Sequence, residues 1–516
     1  MASGALAREP VRLWPRWIFP DVAMAVAWLT LFCCLFLFQG YRSLFRDSDA
    51  GWHIRTGEAI LETGRLPRAD PYSFTRRGQP WFAWEWLADA ATGAVHRMAG
   101  LGGVALFYGV AIGVGAWLWF RLHWAMGGDF LLACALAPLM LSTCNLHWLA
   151  RPHVIGWLFL MAAVWYAERR GASDAAAFDW RDAALVAGFT ALWANTHASF
   201  FLATAVALVY AVGAGLGSVL WGSPNRVHGW YLRAAAVSLL AGLANPYGWG
   251  LYHHVFGYLR DSELLGRIGE FQSFDFHAAG SGQILATLVI GLGGGALALG
   301  RRRPEHFALA VLFTVLGLHS ARGLPLAALV LLPIANGAIT EALAGAAGGL
   351  RQPCRRGLEA FLGYSRRLRA WDCAFRGWAL APLAVCLCWG LLRTPAIRAS
   401  TGFPADQFPV AAYAHIPEGA RLFAPDKFGG YLIYRSAGSR KVFFDGRSDL
   451  YGAQFLKQYA RLVQVRPGWR QIWDGYGFTH ALLPEDAPLG AALLEAGWRL
   501  EYRDRTAMLL ARESKS

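Results

Sequence analysis

Apolar runs near the length that crosses a bilayer as a helix recur along the chain and constrain its fold more than any other feature. They fall near 20–40, 101–121, 129–147, 153–168, 182–198, 199–221, 231–244, 283–300, 305–320, 322–341 and 377–393. Hydrocarbon offers a backbone no hydrogen-bond partner, so each run must satisfy its own amides as a helix. The expected architecture is a polytopic α-helical membrane protein with about eleven transmembrane helices, the run near 231 being the shortest. Composition agrees, with 56% hydrophobic residues, 16% charged residues and a mean hydropathy of +0.32. The 24 Trp suit interfacial belts.

A net charge of +14 invites a nucleic-acid partner, but the Arg residues fall in short turns between apolar runs and form no binding stripe. Arg8, Arg12 and Arg16 precede the first run and no small-residue cleavage site follows it, so that run is read as an uncleaved first helix. With the N-terminus cytoplasmic, inner turns hold Arg121, Arg169, Arg170, Arg181, Arg226, Arg233, Arg301 to Arg303 and the basic stretch from Arg351 to Arg376. Outer turns hold only Arg151, Arg260, Arg267 and Arg322, which fixes the orientation. The segment 342–376 reads as a membrane-hugging inner loop attracted to anionic lipid.

Residues 1–399 therefore form the transmembrane domain, with a large first external loop at 41–100. Residues 400–516 have the composition of a soluble domain. Apolar strands ARLFAP, YLIYR, KVFFD, HALLP, WRLEY and AMLLA alternate with the helical patterns AQFLKQYARLVQV and LGAALLEAGW, which predicts a small α/β domain. It follows an odd number of spans and lies outside. None of the eight Cys falls in 41–100 or after 400, so neither a disulfide nor a Cys-ligated zinc holds those parts.

The polar residues hardest to explain in such a chain all fall on the outer side. They are Asp47 and Asp49, Glu85, His147, Arg151 and His153 in LHWLARPH, Asn195 and His197 in WANTHAS, Asn245 and Tyr247 in ANPYGW, Glu270 and Asp275 in GEFQSFDF, and His319 and Arg322 in HSARG. In the first loop, Trp81, Trp84 and Trp86 flank Glu85 as expected of a helix lying in the interface.

From Asp49, the run DAGWHIR followed by GEAILETGRLPRADP resembles the first external loop of the glycosyltransferase C superfamily, and of its oligosaccharyltransferases in particular. GQPWFAWEWL is similar to a segment of related aminoarabinose and mannosyl transferases. In the tail, ARLFAPDKFGGYLIYRSAGSRKVFFDGRSDLYG looks like the start of the oligosaccharyltransferase external domain. It lacks the paired Trp of the W-W-D-Y-G motif that reads an asparagine sequon, which speaks against protein N-glycosylation. The outer motifs together also resemble bacterial membrane proteins described as glycosyltransferases. The resemblance implies a bacterial inner-membrane enzyme that takes a sugar from a polyprenyl-phosphate donor on the periplasmic side. Its partners would be the lipid-linked donor, membrane lipid and a glycan, glycolipid or protein acceptor. Asp49 corresponds to the family's catalytic acidic position, with Asp47 its neighbour.

The residue chemistry gives each candidate a role. Asp49 suits the base that takes a proton from the acceptor, with Asp47 beside it and Glu85 as a second acid. One-step displacement at the anomeric carbon inverts configuration, giving an inverting hexosyl- or pentosyltransferase. Arg151 and Arg322, with His153, His197 and His319, suit the donor phosphate. Asn195, Asn245, Tyr247 and Glu270 suit sugar hydroxyls, and helix-end capping is the rival account of the Asn residues. Asp47, Asp49 and Glu270 are hard ligands that could hold a divalent cation, Mg or Mn. In FFDGRSDLYG, Asp445, Arg447 and Asp449 read as a turn locked by its own ion pair. No Walker A or Rossmann glycine pattern is present, which argues against nucleotide-sugar donors. The alternatives are an O-antigen-type polysaccharide polymerase or ligase, and a non-catalytic membrane assembly protein that keeps the fold.

Overall fold

The computed structural model describes residues 16–172, 177–222, 227–377 and 379–513. Arg8, Arg12 and Arg226 lie outside the described residues. The chain opens with α1 (Val22–Phe36), capped by Asp21, then α2 (Tyr41–Leu44) and α3 (Asp49–Thr63). After a turn-rich loop come α4 (Trp86–Ala125), α5 (Phe130–Asn145), α6 (His153–Gly171), α7 (Trp180–Ala194), α8 (Phe201–Trp221) and α9 (His228–Ala241). Two shorter helices follow, α10 (Trp249–Arg260) and α11 (Ser262–Leu265). The bundle then closes with α12 (Ser281–Gly300), α13 (Pro304–His319), α14 (Leu324–Ala346), α15 (Gln352–Asp372) and α16 (Leu380–Leu392), and α17 (Pro395–Arg398) leads out of it.

Each apolar run expected to cross lies on one of these helices. Among the described residues, four helical stretches are long and apolar enough to span alone, namely Trp86–Ala125, Ala198–Trp221, Ser281–Gly300 and Ala321–Ala346. The helix expected around Trp81, Trp84 and Trp86 begins only at Trp86 and is not separate. It continues into the second apolar run as the 40-residue α4, and Gly100, with φ 63° and ψ −161°, takes the bend between them.

The arginine residues sort as charge counting predicts. Arg121 pairs with Asp21, Arg170 with Asp182, Arg301 with Glu341 and Arg303 with Glu168, all at one end of the bundle. Arg151 and Arg322 meet at the other.

After α17 the tail forms α18 (Asp426–Arg435), α19 (Ser448–Val463), α20 (Trp469–Tyr476) and α21 (Pro488–Glu495) around a four-stranded sheet. Its strands are β1 (Leu422–Phe423), β2 (His480–Pro484), β3 (Arg499–Arg503) and β4 (Ala507–Ala511), in the order β1-β2-β4-β3. β1 runs parallel to β2 and the other pairs are antiparallel. Two expected strands are corrected. YLIYR is the second half of α18, and KVFFD makes only a single bridge, Val442 to Ser73 in the first loop.

The first loop and the tail share one core. Trp52, Tyr72 and Trp81 pack with Phe408, Leu422, Phe428, Leu482 and Leu509. Helices α3 and α18 cross at glycines. A Cβ on Gly51 would lie 2.2 Å from the Gly430 carbonyl oxygen, and one on Gly430 would lie 2.2 Å from that of Ser48. An ion cluster fastens the same joint. Arg447 donates to Asp445 at 2.7 and 2.8 Å, as the sequence suggests, and also to Asp70 of the first loop at 2.8 Å. Tyr72 and Trp81 present their ring faces to the Arg447 guanidinium. Asp449 does not join this cluster and lies instead 3.1 Å from His254.

Candidate active site

Three loops that the helices deliver to one end converge on Arg151. That residue lies in the turn between α5 and α6, Asp47 and Asp49 lie at the start of α3, and Glu270 follows α11. Arg151 Nη1 donates to Asp47 Oδ2 at 2.6 Å and to Glu270 Oε1 at 2.8 Å, and Nη2 lies 3.0 Å from Asp49 Oδ2. Arg322 Nε stands 3.5 Å from the other Glu270 oxygen, and its guanidinium lies over the Phe271 ring. Asp47 Oδ1 also accepts the Asp49 amide at 2.9 Å, which braces the start of α3. The expected constellation of Asp47, Asp49, Glu270, Arg151 and Arg322 is thus one physical cluster.

These residues line a cleft of about 680 Å3 between the bundle end and the tail. The tail contributes Asp426, Lys427, Gly446, Ser448 and Tyr459, and Tyr459 donates to Asp426 at 2.9 Å. Gly446 must be glycine, because a Cβ there would sit 1.9 Å from Asp49 Oδ1. Lys427 is exposed and, among the described residues, forms no ion pair, and Arg322 touches an acid only through Nε. Arg46, also in the lining, is engaged by the Ser43 hydroxyl and by backbone carbonyls, so Arg322 and Lys427 are, among the described residues, two cations of the cleft left open to a ligand.

The electrostatics separate the acids. Burial raises the Asp49 carboxyl to about 7, with Asp47 and Glu270 adding to the effect and Arg151 opposing it. Burial acts the same way on Glu270, but Arg151 and Arg322 outweigh it and hold this acid below the usual carboxylate range. Asp49 can therefore gain and lose a proton near neutral pH, whereas Glu270 stays ionised.

Arg151 was expected to bind phosphate, and in the structure its guanidinium lies among acids. Three carboxylates already engage both of its terminal nitrogens, so it organises the acids. The same observation bears on a divalent cation. Asp47, Asp49 and Glu270 meet, but the point their oxygens face is filled by a guanidinium, and among the described residues no group of three or more His, Cys, Asp or Glu could hold a metal. In this arrangement the charge that faces Asp47, Asp49 and Glu270 is that of the Arg151 guanidinium.

Other sequence candidates lie outside the cleft. Glu85 does not face water. Its side chain is 12% exposed, between His53 Nε2 at 3.7 Å and His197 Nε2 at 3.3 Å, and burial raises it to about 7. His153 is buried and bonds the His147 carbonyl at 2.8 Å. His319 is exposed at the end of α13. Asn195 caps α7 and accepts from Trp86 at 2.8 Å, Asn245 closes its own turn, and Tyr247 accepts the Ala83 amide at 2.9 Å. Asn195 and Tyr247 thus hold the Trp81–Trp86 segment.

Sequence reasoning missed Lys427 and Tyr459, and it missed His53 and Asp89. His53 Nδ1 lies 2.6 Å from Asp89 Oδ1 in a fully buried pair that backs Glu85. One signal was available: His53 is one helical turn after Asp49, hence on the same face of α3.

No family model and no curated protein matches the chain. Similar solved structures include archaeal oligosaccharyltransferase AglB from Archaeoglobus fulgidus in complex with an inhibitory peptide and a dolichol-phosphate, with TM-score 0.56 and 11% identity over 90% of this chain and 69% of that one. The apo form of the Archaeoglobus fulgidus oligosaccharyltransferase matches with TM-score 0.52, 11% identity and the same coverage. At that identity the common property is the course of the backbone, so the chain shares the fold of these oligosaccharyltransferase structures.

Proposed function

We propose that this protein is an inverting membrane glycosyltransferase, moving a hexosyl or pentosyl group from a polyprenyl-phosphate donor to an acceptor outside a bacterial inner membrane. The observation that carries this reading is Asp49, a buried acid poised near neutral pH, in the same cleft as the open cations Arg322 and Lys427. A similar structure holds a dolichol-phosphate and a peptide, which supports a lipid-linked donor and a separate acceptor.

In this mechanism Asp49 takes the proton of an acceptor hydroxyl or amide as its oxygen or nitrogen bonds to the anomeric carbon. The bond from that carbon to the phosphate oxygen breaks, and Arg322 and Lys427 hold the departing polyprenyl phosphate. Arg151 fixes the Asp49 side chain, while Asp47 and Glu270 balance the charge of Arg151. Residues 1–399 embed the donor chain, and residues 400–516 close the cleft from outside. Deleting the gene and extracting lipids tests the reading. A polyprenyl-linked sugar should accumulate and disappear on complementation, and an unchanged lipid profile would count against the function.

Arg322→Ala is expected to raise the KM for donor by about 10- to 100-fold, the loss of one charge-assisted phosphate contact, with the KM for acceptor unchanged. Steady-state kinetics with each substrate varied separately decides it. An unaltered donor KM removes Arg322 from the phosphate.

A further inference from the structure

The end of the bundle opposite the cleft holds a second cavity, about 690 Å3, bounded by the last turns of α4 and α6, the end of α15 and Asp21 before α1. None of its residues takes part in the proposed transfer.

Three guanidiniums in its wall lie over three indoles in the same wall. Arg121 is 4.9 Å from the Trp117 ring centroid, Arg169 is 5.1 Å from that of Trp165, and Arg369 is 4.0 Å from that of Trp124. Held by a ring face, a guanidinium keeps the N–H groups along its edge free for an oxygen acceptor. Arg376 is a fourth cation in the wall. The two acids present are already engaged. Asp21 caps α1 through Met24 at 2.8 Å and pairs with Arg121 at 2.7 Å, and Asp372 accepts the Val22 amide at 2.6 Å. Among the described residues Arg169, Arg369 and Arg376 form no ion pair, so the space carries excess positive charge.

The cavity is also graded. Arg121 and Arg169 are near the ends of their helices, while Trp117, Leu118 and Ala162 sit one to two turns deeper toward the apolar middle of the bundle. A soluble phosphate ester has nothing to place against that depth, whereas a lipid phosphate has its acyl chains. Beside the mouth, α15 exposes Arg355, Arg356, Arg366 and Arg367, as a helix lying on an anionic membrane surface does.

We propose that this cavity seats the phosphate headgroup of an anionic glycerophospholipid in the leaflet opposite the cleft, with Arg169, Arg369 and Arg376 on the phosphate and Trp117, Leu118 and Ala162 along an acyl chain. The proposal requires the bundle to span a bilayer and does not require sugar transfer.

Native mass spectrometry of the full-length protein, released from a neutral detergent with added phosphatidylglycerol, tests it. One phosphatidylglycerol should be retained in preference to phosphatidylcholine, and millimolar glycerol phosphate should not displace it. Combining R169Q, R369Q and R376Q should lower the retained fraction by about tenfold, the loss of charge-assisted contacts. R169Q alone changes one exposed side chain, keeps the structure intact whatever the triple variant does, and should lower retention by about threefold. Equal retention by R169Q and the native chain, equal binding of phosphatidylcholine, or displacement by glycerol phosphate would each overturn the proposal. Because the readout is binding, a chain that retains the lipid but transfers no sugar separates this inference from the proposed function.

Discussion

Asp49→Asn is expected to reduce sugar transfer by about 10²- to 10⁴-fold, the usual contribution of a positioned general base. The amide keeps the shape of the carboxyl, and Arg151 keeps Asp47 and Glu270 as partners, so folding should be preserved. The native protein supplies the companion measurement. A base must be ionised to accept a proton, and burial raises Asp49 to about 7, so activity should fall about tenfold per pH unit below that point and level off above it. The variant's residual activity should lack that limb. Transfer in Asp49→Asn within a few-fold of the native rate, with an unmoved pH profile, would remove Asp49 from the chemistry.

Arg447→Met should produce the largest structural effect. Arg447 is 1% exposed, and its guanidinium stands between Asp70 and Asp445, whose side chains are fully buried. Without it two carboxylates remain in an apolar joint, a loss of about 3–5 kcal/mol. Coulombic repair is the control: adding Asp70→Asn and Asp445→Asn to the same chain should recover much of the loss, because a neutral set needs no counter-charge. Thermal unfolding and limited proteolysis of the tail provide the readout. An unshifted Tm in the single variant would show that the joint does not depend on this ion cluster.

The elements legible in the sequence were those set by local periodicity. The apolar runs became helices, and counting Arg in the turns sorted the two ends of the bundle correctly, because neither property needs a distant partner. YLIYR failed for the opposite reason. Its aromatic and β-branched residues favour a strand, but Pro425 starts a helix and Gly429 and Gly430 let that helix lie against Phe444 and Ser48, so tertiary contact overrides propensity. The acids and guanidiniums of the cleft were picked out one by one, yet their pairing was invisible. Arg151 meets Asp47 across 104 residues and Glu270 across 119, and one sequence does not reveal which cation organises and which remains open. The His53–Asp89 pair was hidden in the same way, split between two helices.

The joint between α3 and α18 also dictates when the cleft can come into being. Arg55 donates to the Tyr434 carbonyl across 379 residues, and the glycine crossing beside it links equally remote stretches. At ordinary rates of translation, Asp49 leaves the ribosome about 20–80 s before the segment that covers it. During that interval Gly446 does not yet cover the acid, and a carboxylate left in water titrates near 4 and is a poor base at neutral pH. If Asp49 is the base, a ribosome-bound or prematurely terminated chain should transfer no sugar, and competence should arrive only with the last quarter of synthesis.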